Sequence, residues 1–284
     1  MSSDILLRYA FATATLVGLL ALFHLVRRLA TPRATAGLAK PNVAYLLVEA
    51  GHVAAVLLLV PGIVREALTH ESLVMSVVWA AAFGVAGVLL IQGVGELGIR
   101  LLMRAKLRQA LDAGNVAAGL AAGANYVAVG ILAAPAIAGS DLAGLGLACA
   151  FFGLAVATQA LYVVLFRALT VYDDAEQIEG ENLAVALSYS GITIAIAMVL
   201  ARALTGGDFT GWGSALTDFA SVAVWGLALY PVRQLVVEGL VLGRVPSFRG
   251  GALDHAIGVE RNAGMAALEA MAYLAASYAI VRLS

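Results

Sequence analysis

Long apolar stretches alternate with short polar segments along the whole chain, and eight of the stretches are long enough to cross a membrane. They are continuously apolar instead of alternating with period two, which favours helices over membrane strands. A bilayer core of about 30 Å needs about 20 helical residues. The pattern predicts an all-α polytopic membrane protein with eight transmembrane helices, at 5–26, 43–64, 73–99, 116–137, 142–166, 183–203, 213–232 and 263–281.

The composition excludes the soluble alternatives. Hydrophobic residues make up 62% of the 284 residues and charged residues only 12%, whereas soluble domains average about 25% charged residues. A soluble domain of this size could not bury so much apolar surface, so a soluble enzyme and a nucleic-acid-binding protein are both excluded. No phosphate loop, metal motif or nucleophile elbow occurs in a suitable context. We therefore expect a non-enzymatic protein without a cofactor or metal.

Lysine and arginine collect on one side of the predicted helices. The loops after the first, third, fifth and seventh stretches, with their flanking helix ends, hold thirteen of the 17 basic residues. Because positive loops stay in the cytoplasm, we expect a bacterial inner-membrane protein with both termini outside. No basic segment precedes the first stretch, so we expect a retained helix there. The loops 100–115 and 168–181 are candidate surfaces for membrane or cytoplasmic partners, in addition to the surrounding lipid bilayer.

Every second stretch opens with an asparagine and is rich in small residues. The asparagines, 67 to 80 residues apart, are Asn42, Asn115, Asn182 and Asn262. An asparagine in this position can cap the helix by accepting a hydrogen bond from a free backbone N–H of the first turn. Small residues let membrane helices approach closely. The pattern predicts four copies of a two-helix hairpin.

The third hairpin carries a family resemblance. Its Leu169-Thr-Val-Tyr-Asp-Asp174 and Ile178-Glu-Gly-Glu-Asn182-Leu-Ala-Val-Ala-Leu187, after Gln159 in the preceding helix, resemble the bacterial inner-membrane family catalogued as domain of unknown function 350, the YjfL-like proteins. A domain of that family has two hairpins, so the resemblance implies two tandem four-helix domains, 1–139 and 140–284. The first hairpin departs from the pattern with Lys40-Pro41-Asn42. The family brings no established biochemical role.

Two glutamates occupy the same repeat position inside predicted helices. Glu49 and Glu269 each follow their asparagine by seven residues, about 10 Å into the membrane. Ionisable groups are costly at this depth and often functional. In one interpretation Glu49 and Glu269 face each other across a pseudo-twofold axis, with His52 beside Glu49. Such a site could bind a cation or pass protons, as in a small channel or a cation-coupled transporter.

The remaining intramembrane polar residues favour a structural interpretation. Amide side chains can tie helices together, and glutamates near the helix ends can reach the interface or pair with Arg100 and Arg233. The residues expected in this layer are Gln92, Glu96, Asn125, Gln159, Gln234 and Glu238. On this interpretation the protein is a structural or envelope-stress component of the membrane. The geometry distinguishes the two: a transporter needs Glu49 and Glu269 on one hydrated cavity, whereas a structural protein pairs each locally.

Overall fold

The computed structural model describes residues 3–30, 42–103, 106–136, 142–205 and 210–284. In these residues the chain contains no strand, and eight helical segments are long and apolar enough to cross a membrane. The segments are α1 (Ser3–Ala30), α2 (Val43–Ala67), α3 (Leu73–Met103), α4 (Val116–Ala136), α5 (Leu142–Leu169), α6 (Leu183–Ala203), α7 (Trp212–Val241) and α8 (Ala263–Leu283). The predicted all-helical fold with eight membrane spans is confirmed.

The seventh span is longer and less regular than its apolar pattern predicts. The pattern ends at 232, but the helix continues to Val241. After an α-helical segment, Trp212–Ala223, it narrows to a 3₁₀ turn, Val224–Ala228, and it ends as a wider π-helix, Gln234–Val241. The apolar pattern stops early because polar side chains begin at Arg233, and those side chains turn into the bundle instead of marking a loop.

The even-numbered helices form one row, in the order α2, α4, α6, α8. The most extensive helix contacts in the described chain lie between neighbours in this row. The odd-numbered helices pack outside it: α1 lies against α2 and α3, α3 also against α4, α5 against α4 and α6, and α7 against α6 and α8. The row is the core of the molecule, and α2 and α8 lie at its opposite ends.

Glycine makes the close approach of the even helices possible. A Cβ atom added to Gly51 of α2 would lie within 2.3 Å of the backbone oxygen of Gly123 in α4, and one added to Gly191 of α6 would lie within 2.5 Å of Ala270 in α8. A Cβ atom added to Gly119 of α4 would lie within 2.5 Å of the backbone oxygen of Ala44 in α2. Any side chain at these positions would force the backbones apart. The small residues of the repeat thus lie at the helix interfaces.

The repeat asparagines cap their helices. The Oδ1 atoms accept backbone N–H groups of the first turn at 2.9 to 3.1 Å, for Asn42 from Ala44, for Asn115 from Ala118, for Asn182 from Ala184 and for Asn262 from Met265. Each cap satisfies a backbone donor that the helix itself cannot pair. The asparagines therefore set where the even helices begin.

Three of the asparagines also join one hairpin to the next. Short helices, Leu107–Asp112, Asp174–Glu179 and Ala252–Gly258, precede the last three asparagines. The Nδ2 atom of Asn42 donates to the carbonyl of Leu111 at 2.8 Å, that of Asn115 to Ile178 at 2.8 Å, and that of Asn182 to Ile257 at 3.1 Å. Each of these three asparagines thus holds the short helix that leads into the next even helix, which keeps the four helix ends in register.

Candidate functional site

Glu49, whose side chain is 25% exposed, lies at a polar cluster in the first half of the chain. Its carboxylate forms an ion pair with Arg27 of α1, whose side chain is only 3% exposed. One turn along α2, the Nδ1 atom of His52 is 3.5 Å from the same carboxylate oxygen. The His52 ring packs between Phe23 and Tyr126, with ring centroids 4.9 and 3.7 Å away. The charge of Glu49 is therefore compensated within its own half.

A small cavity adjoins this cluster. It has a volume of about 80 Å³ and is lined by polar side chains from α1, α2, α3, α4 and the short helix before Asn115, among them Arg27, Tyr45, His52, Gln92, Glu96, Arg108 and Tyr126. The Nε2 atom of His52 and the Oε1 atom of Gln92 are buried with no hydrogen-bond partner among the described residues. A polar cavity of this size has room for a few water molecules, which bond to such groups.

Glu269 lies in a second buried cluster, in the second half. Its Oε1 atom is 2.5 Å from Nε of Arg233, and Nη2 of Arg233 is 2.7 Å from Oδ1 of Asp254. The three side chains are 0–1% exposed. Burial is tolerated because the guanidinium bonds to both carboxylates at once. One cation thus serves two anions, so the cluster carries one excess negative charge when both carboxylates are ionised.

Tyr172 stands beside this second cluster, in the loop after α5. Burial, together with the negative charge of Glu269, raises the pKa of its hydroxyl above the ordinary value. The hydroxyl has no hydrogen-bond partner among the described residues. It therefore stays neutral at the edge of the charged cluster, as a donor that could serve a carboxylate.

The structure does not bring Glu49 and Glu269 together. Glu49 is on α2 and Glu269 on α8, at the two ends of the row, with α4 and α6 between them. The expectation of a shared site across a pseudo-twofold axis is therefore not met. His52 does lie beside Glu49, as the one-turn spacing predicts.

Two amides of the predicted structural layer tie neighbouring helices together. Nδ2 of Asn125 in α4 donates to the carbonyl of Gly95 in α3 at 3.0 Å. Nε2 of Gln159 in α5 donates to the carbonyl of Thr193 in α6 at 3.3 Å. Both side chains are buried, where a bonded amide is far less costly than a free one.

The polar residues of α7 behave differently from the prediction. Nε2 of Gln234 donates to the carbonyl of Ser247 at 2.5 Å, in the loop after α7. Glu238 is 2% exposed, so it does not reach the interface. It accepts the backbone N–H and the hydroxyl of Ser247, at 3.0 and 3.2 Å, instead of pairing with Arg233. The side chain of Arg100, the expected partner of Glu96, lies outside the described residues.

Sequence reasoning missed the cations that neutralise the two glutamates. Arg27 and Arg233 count among the basic residues of the odd loops, yet both side chains are buried inside the bundle. No sequence pattern marks Asp254 as a third member of the second cluster. The presence of a nearby cation can be predicted in principle, because a carboxylate held inside a membrane protein needs a cation within reach. What the sequence does not say is which arginine supplies it.

The two loops predicted as partner surfaces adjoin each other. Nζ of Lys106 is 3.0 Å from a carboxylate oxygen of Glu179, which links the segments 100–115 and 168–181. Just before the second segment, near the end of α5, Nε of Arg167 contacts Oδ2 of Asp174 at 2.6 Å. Burial raises the pKa of Asp174 to about 6, although the nearby Arg167 acts against that shift. Part of each loop is thus used for internal contacts.

Among the described residues, no group of three or more His, Cys, Asp or Glu side chains is placed to hold a metal ion.

Comparison with known proteins supports the repeat. Neither the curated proteins nor the solved structures contain a match to the chain. The sequence model of one family, described as Domain of Unknown Function (DUF350), matches the chain twice, over residues 1–137 and 140–283. The chain therefore belongs to the DUF350 family, with two copies of the family domain in tandem.

Proposed function

We propose that this protein is a non-enzymatic structural component of the bacterial inner membrane. The observation that carries the proposal is the local pairing of the two intramembrane glutamates, Glu49 with Arg27 and Glu269 with Arg233. Carboxylates that move ions must exchange their partners with water or with the transported ion. Here each is held by a buried guanidinium, at opposite ends of the helix row. The arrangement suits stable helix packing better than transport.

The sidedness of the protein is part of this proposal. Positive-inside bias supports a cytoplasmic location for the loops after α1, α3, α5 and α7, and therefore external termini. On that side the adjoining segments 100–115 and 168–181 offer exposed acidic residues, including Glu176 and Glu181. We propose that membrane or cytoplasmic partner proteins bind to this surface. Through these contacts the protein takes part in the envelope-stress response.

A specific observation also favours a second candidate, a small channel or a cation- or proton-coupled transporter. The cavity beside Glu49 is lined by several polar side chains, including His52, whose Nε2 atom has no hydrogen-bond partner within the described part of the chain. Histidine and glutamate in contact are able to relay protons. This candidate needs a path from the cavity across the membrane, and Glu269 in the other half does not extend it.

Ion flux in proteoliposomes distinguishes the two candidates. Purified full-length protein is reconstituted into vesicles that contain a pH-sensitive dye, and an imposed potassium gradient with valinomycin drives proton entry. We expect the wild type to match protein-free vesicles, because each glutamate is held by a buried arginine of its own half. A flux that the double variant Glu49→Gln, Glu269→Gln abolishes, while the exposed Glu260→Gln control retains it, would contradict the structural proposal and support transport.

A further inference from the structure

Two cavities meet at the loop end of α5, and they share Val164 and Arg167. The first has a volume of about 400 Å³ and lies at the end of the membrane span; it is lined by Arg167, Thr170, Val171, Tyr172, Asp173 and Arg249, among others. The second, of about 140 Å³, extends from the shared residues into the membrane-spanning region, between α3 and α5. The two cavities thus adjoin at these residues and make up a pocket region with a polar end and an apolar end.

The polar end holds two arginines and Asp173, and the described carboxylates engage only one of the arginines. Arg167 is paired with Asp174 at 2.6 Å and lies 3.8 Å from Asp173. Arg249 is exposed and forms no ion pair with any described residue, so its guanidinium is available to a ligand. A guanidinium binds phosphate oxygens through two parallel hydrogen bonds. The polar end therefore suits a phosphate group, with Arg249 as its main contact and Arg167 behind it.

The apolar end is a cleft whose mouth opens toward the lipid. Leu97 of α3 and Val164 of α5, both more than half exposed, lie along the cleft, which Val94, Val156 and Val163 also line. At its inner wall Asn125 and Gln159 already donate to backbone carbonyls. A hydrocarbon chain can therefore lie in the cleft without displacing those hydrogen bonds.

We propose that this pocket binds one anionic phospholipid. Its phosphate contacts Arg249 and Arg167 at the membrane surface, and one acyl chain occupies the cleft between α3 and α5. The ligand class follows from the adjoining cavities: a free phosphate fills only the polar end, and a zwitterionic phospholipid brings a second, positive group that Arg249 does not pair. Basic pockets between membrane helices are a known setting for anionic headgroups.

Native mass spectrometry of the full-length protein in mild detergent tests the proposal. The probes are phosphatidylglycerol, phosphatidylcholine with the same acyl chains, and inorganic phosphate. We expect one retained phosphatidylglycerol, and about five-fold weaker binding in Arg249→Gln, because one surface arginine contributes roughly that factor. Arg244→Gln is the matched control, since Arg244 is exposed on the same loop and does not line the pocket.

A second pair of variants tests the cleft. Ala160 lines it and is exposed, so Ala160→Phe fills it without disturbing buried packing. Ala157→Phe is the control, at an exposed position of the same helix that lines neither cavity. We expect phosphatidylglycerol binding to fall in Ala160→Phe and to be unchanged in Ala157→Phe, with both variants eluting as the wild type on size exclusion.

Three results would overturn the proposal. Equal retention of phosphatidylcholine and phosphatidylglycerol would remove the role of the headgroup charge. Equal effects of Arg249→Gln and Arg244→Gln would remove the site. Binding of inorganic phosphate that matches the lipid, with no effect of Ala160→Phe, would assign the pocket to a free anion.

Discussion

Glu269 and Asp254 share one guanidinium, whereas Glu49 has Arg27 for itself. This difference decides what each residue does for stability. In the second cluster, removal of a carboxylate leaves a balanced pair, but removal of the cation leaves two buried negative charges. The sequence predicted the depth of both glutamates from their distance to the repeat asparagines. It did not predict their partners, because Arg27 and Arg233 come from other helices and resemble ordinary loop-end arginines.

The charge balance of the second cluster predicts that its variants lose unequal amounts of stability. We expect Arg233→Gln to lower the free energy of unfolding by roughly 3–5 kcal/mol, the usual result of leaving a buried charge uncompensated. Glu269→Gln should have a much smaller effect, because Arg233 and Asp254 still balance each other. Thermal unfolding in detergent, followed by tryptophan fluorescence, measures both variants. If Glu269→Gln lowered the free energy of unfolding as much as Arg233→Gln, the result would contradict this charge balance.

At the scale of helices, the row of even-numbered spans depends on small residues at one repeat position. Nine residues after each asparagine stand Gly51, Ala124 and Gly191, and the first and last of these face the neighbouring even helix at very short distance. In α8 the same position is Met271, which is 62% exposed. A methionine there is too large for the close approach that the other helices make. In α8 this position accordingly lies outside the helix interface.

A matched pair of glycine variants tests this packing. Gly51→Ala places a methyl group against the backbone of Gly123, and overpacking of this kind typically destabilises by about 1–3 kcal/mol. Gly153→Ala, in α5, meets no atom within 4 Å, so we expect a neutral or slightly stabilising effect from the better helix propensity of alanine. Thermal unfolding of the two purified variants provides the comparison. Equal stability of the two would show that α2 and α4 are not packed as described.

At the scale of the whole molecule, two copies of the family domain are joined into one row. The contact between α4 and α6, which links the copies, is nearly as extensive as the contacts inside them. The asparagine ties also continue across the junction, from Asn115 to Ile178. The two copies therefore form a single bundle, with all four asparagine caps at one end. Both the loops that carry most of the positive charge and the proposed phosphate pocket lie at that end.

The orientation of this bundle is a prediction that cysteine labelling can measure. The single native Cys149 is first changed to serine, and a cysteine is then placed at Ser284 or at Glu176. A membrane-impermeant maleimide should label Ser284→Cys in intact cells, and Glu176→Cys only after permeabilisation, because the positive loops stay inside. The reverse labelling pattern would invert the topology and place the asparagine end outside.

The sequence by itself determined the membrane class, the eight spans, the four-hairpin repeat and the asparagine caps. These features depend on local composition and on spacing along one helix, which a linear pattern records directly. Only the tertiary structure decided that α2 and α8 lie at opposite ends of the row, that Arg27 and Arg233 neutralise the glutamates, and that Asn42, Asn115 and Asn182 each hold the next hairpin. The order in which helices pack is set by pairwise fit between distant segments, and no single helix pattern contains it. The charge pairs follow from that order, which is why two glutamates at one repeat position belong to two separate clusters.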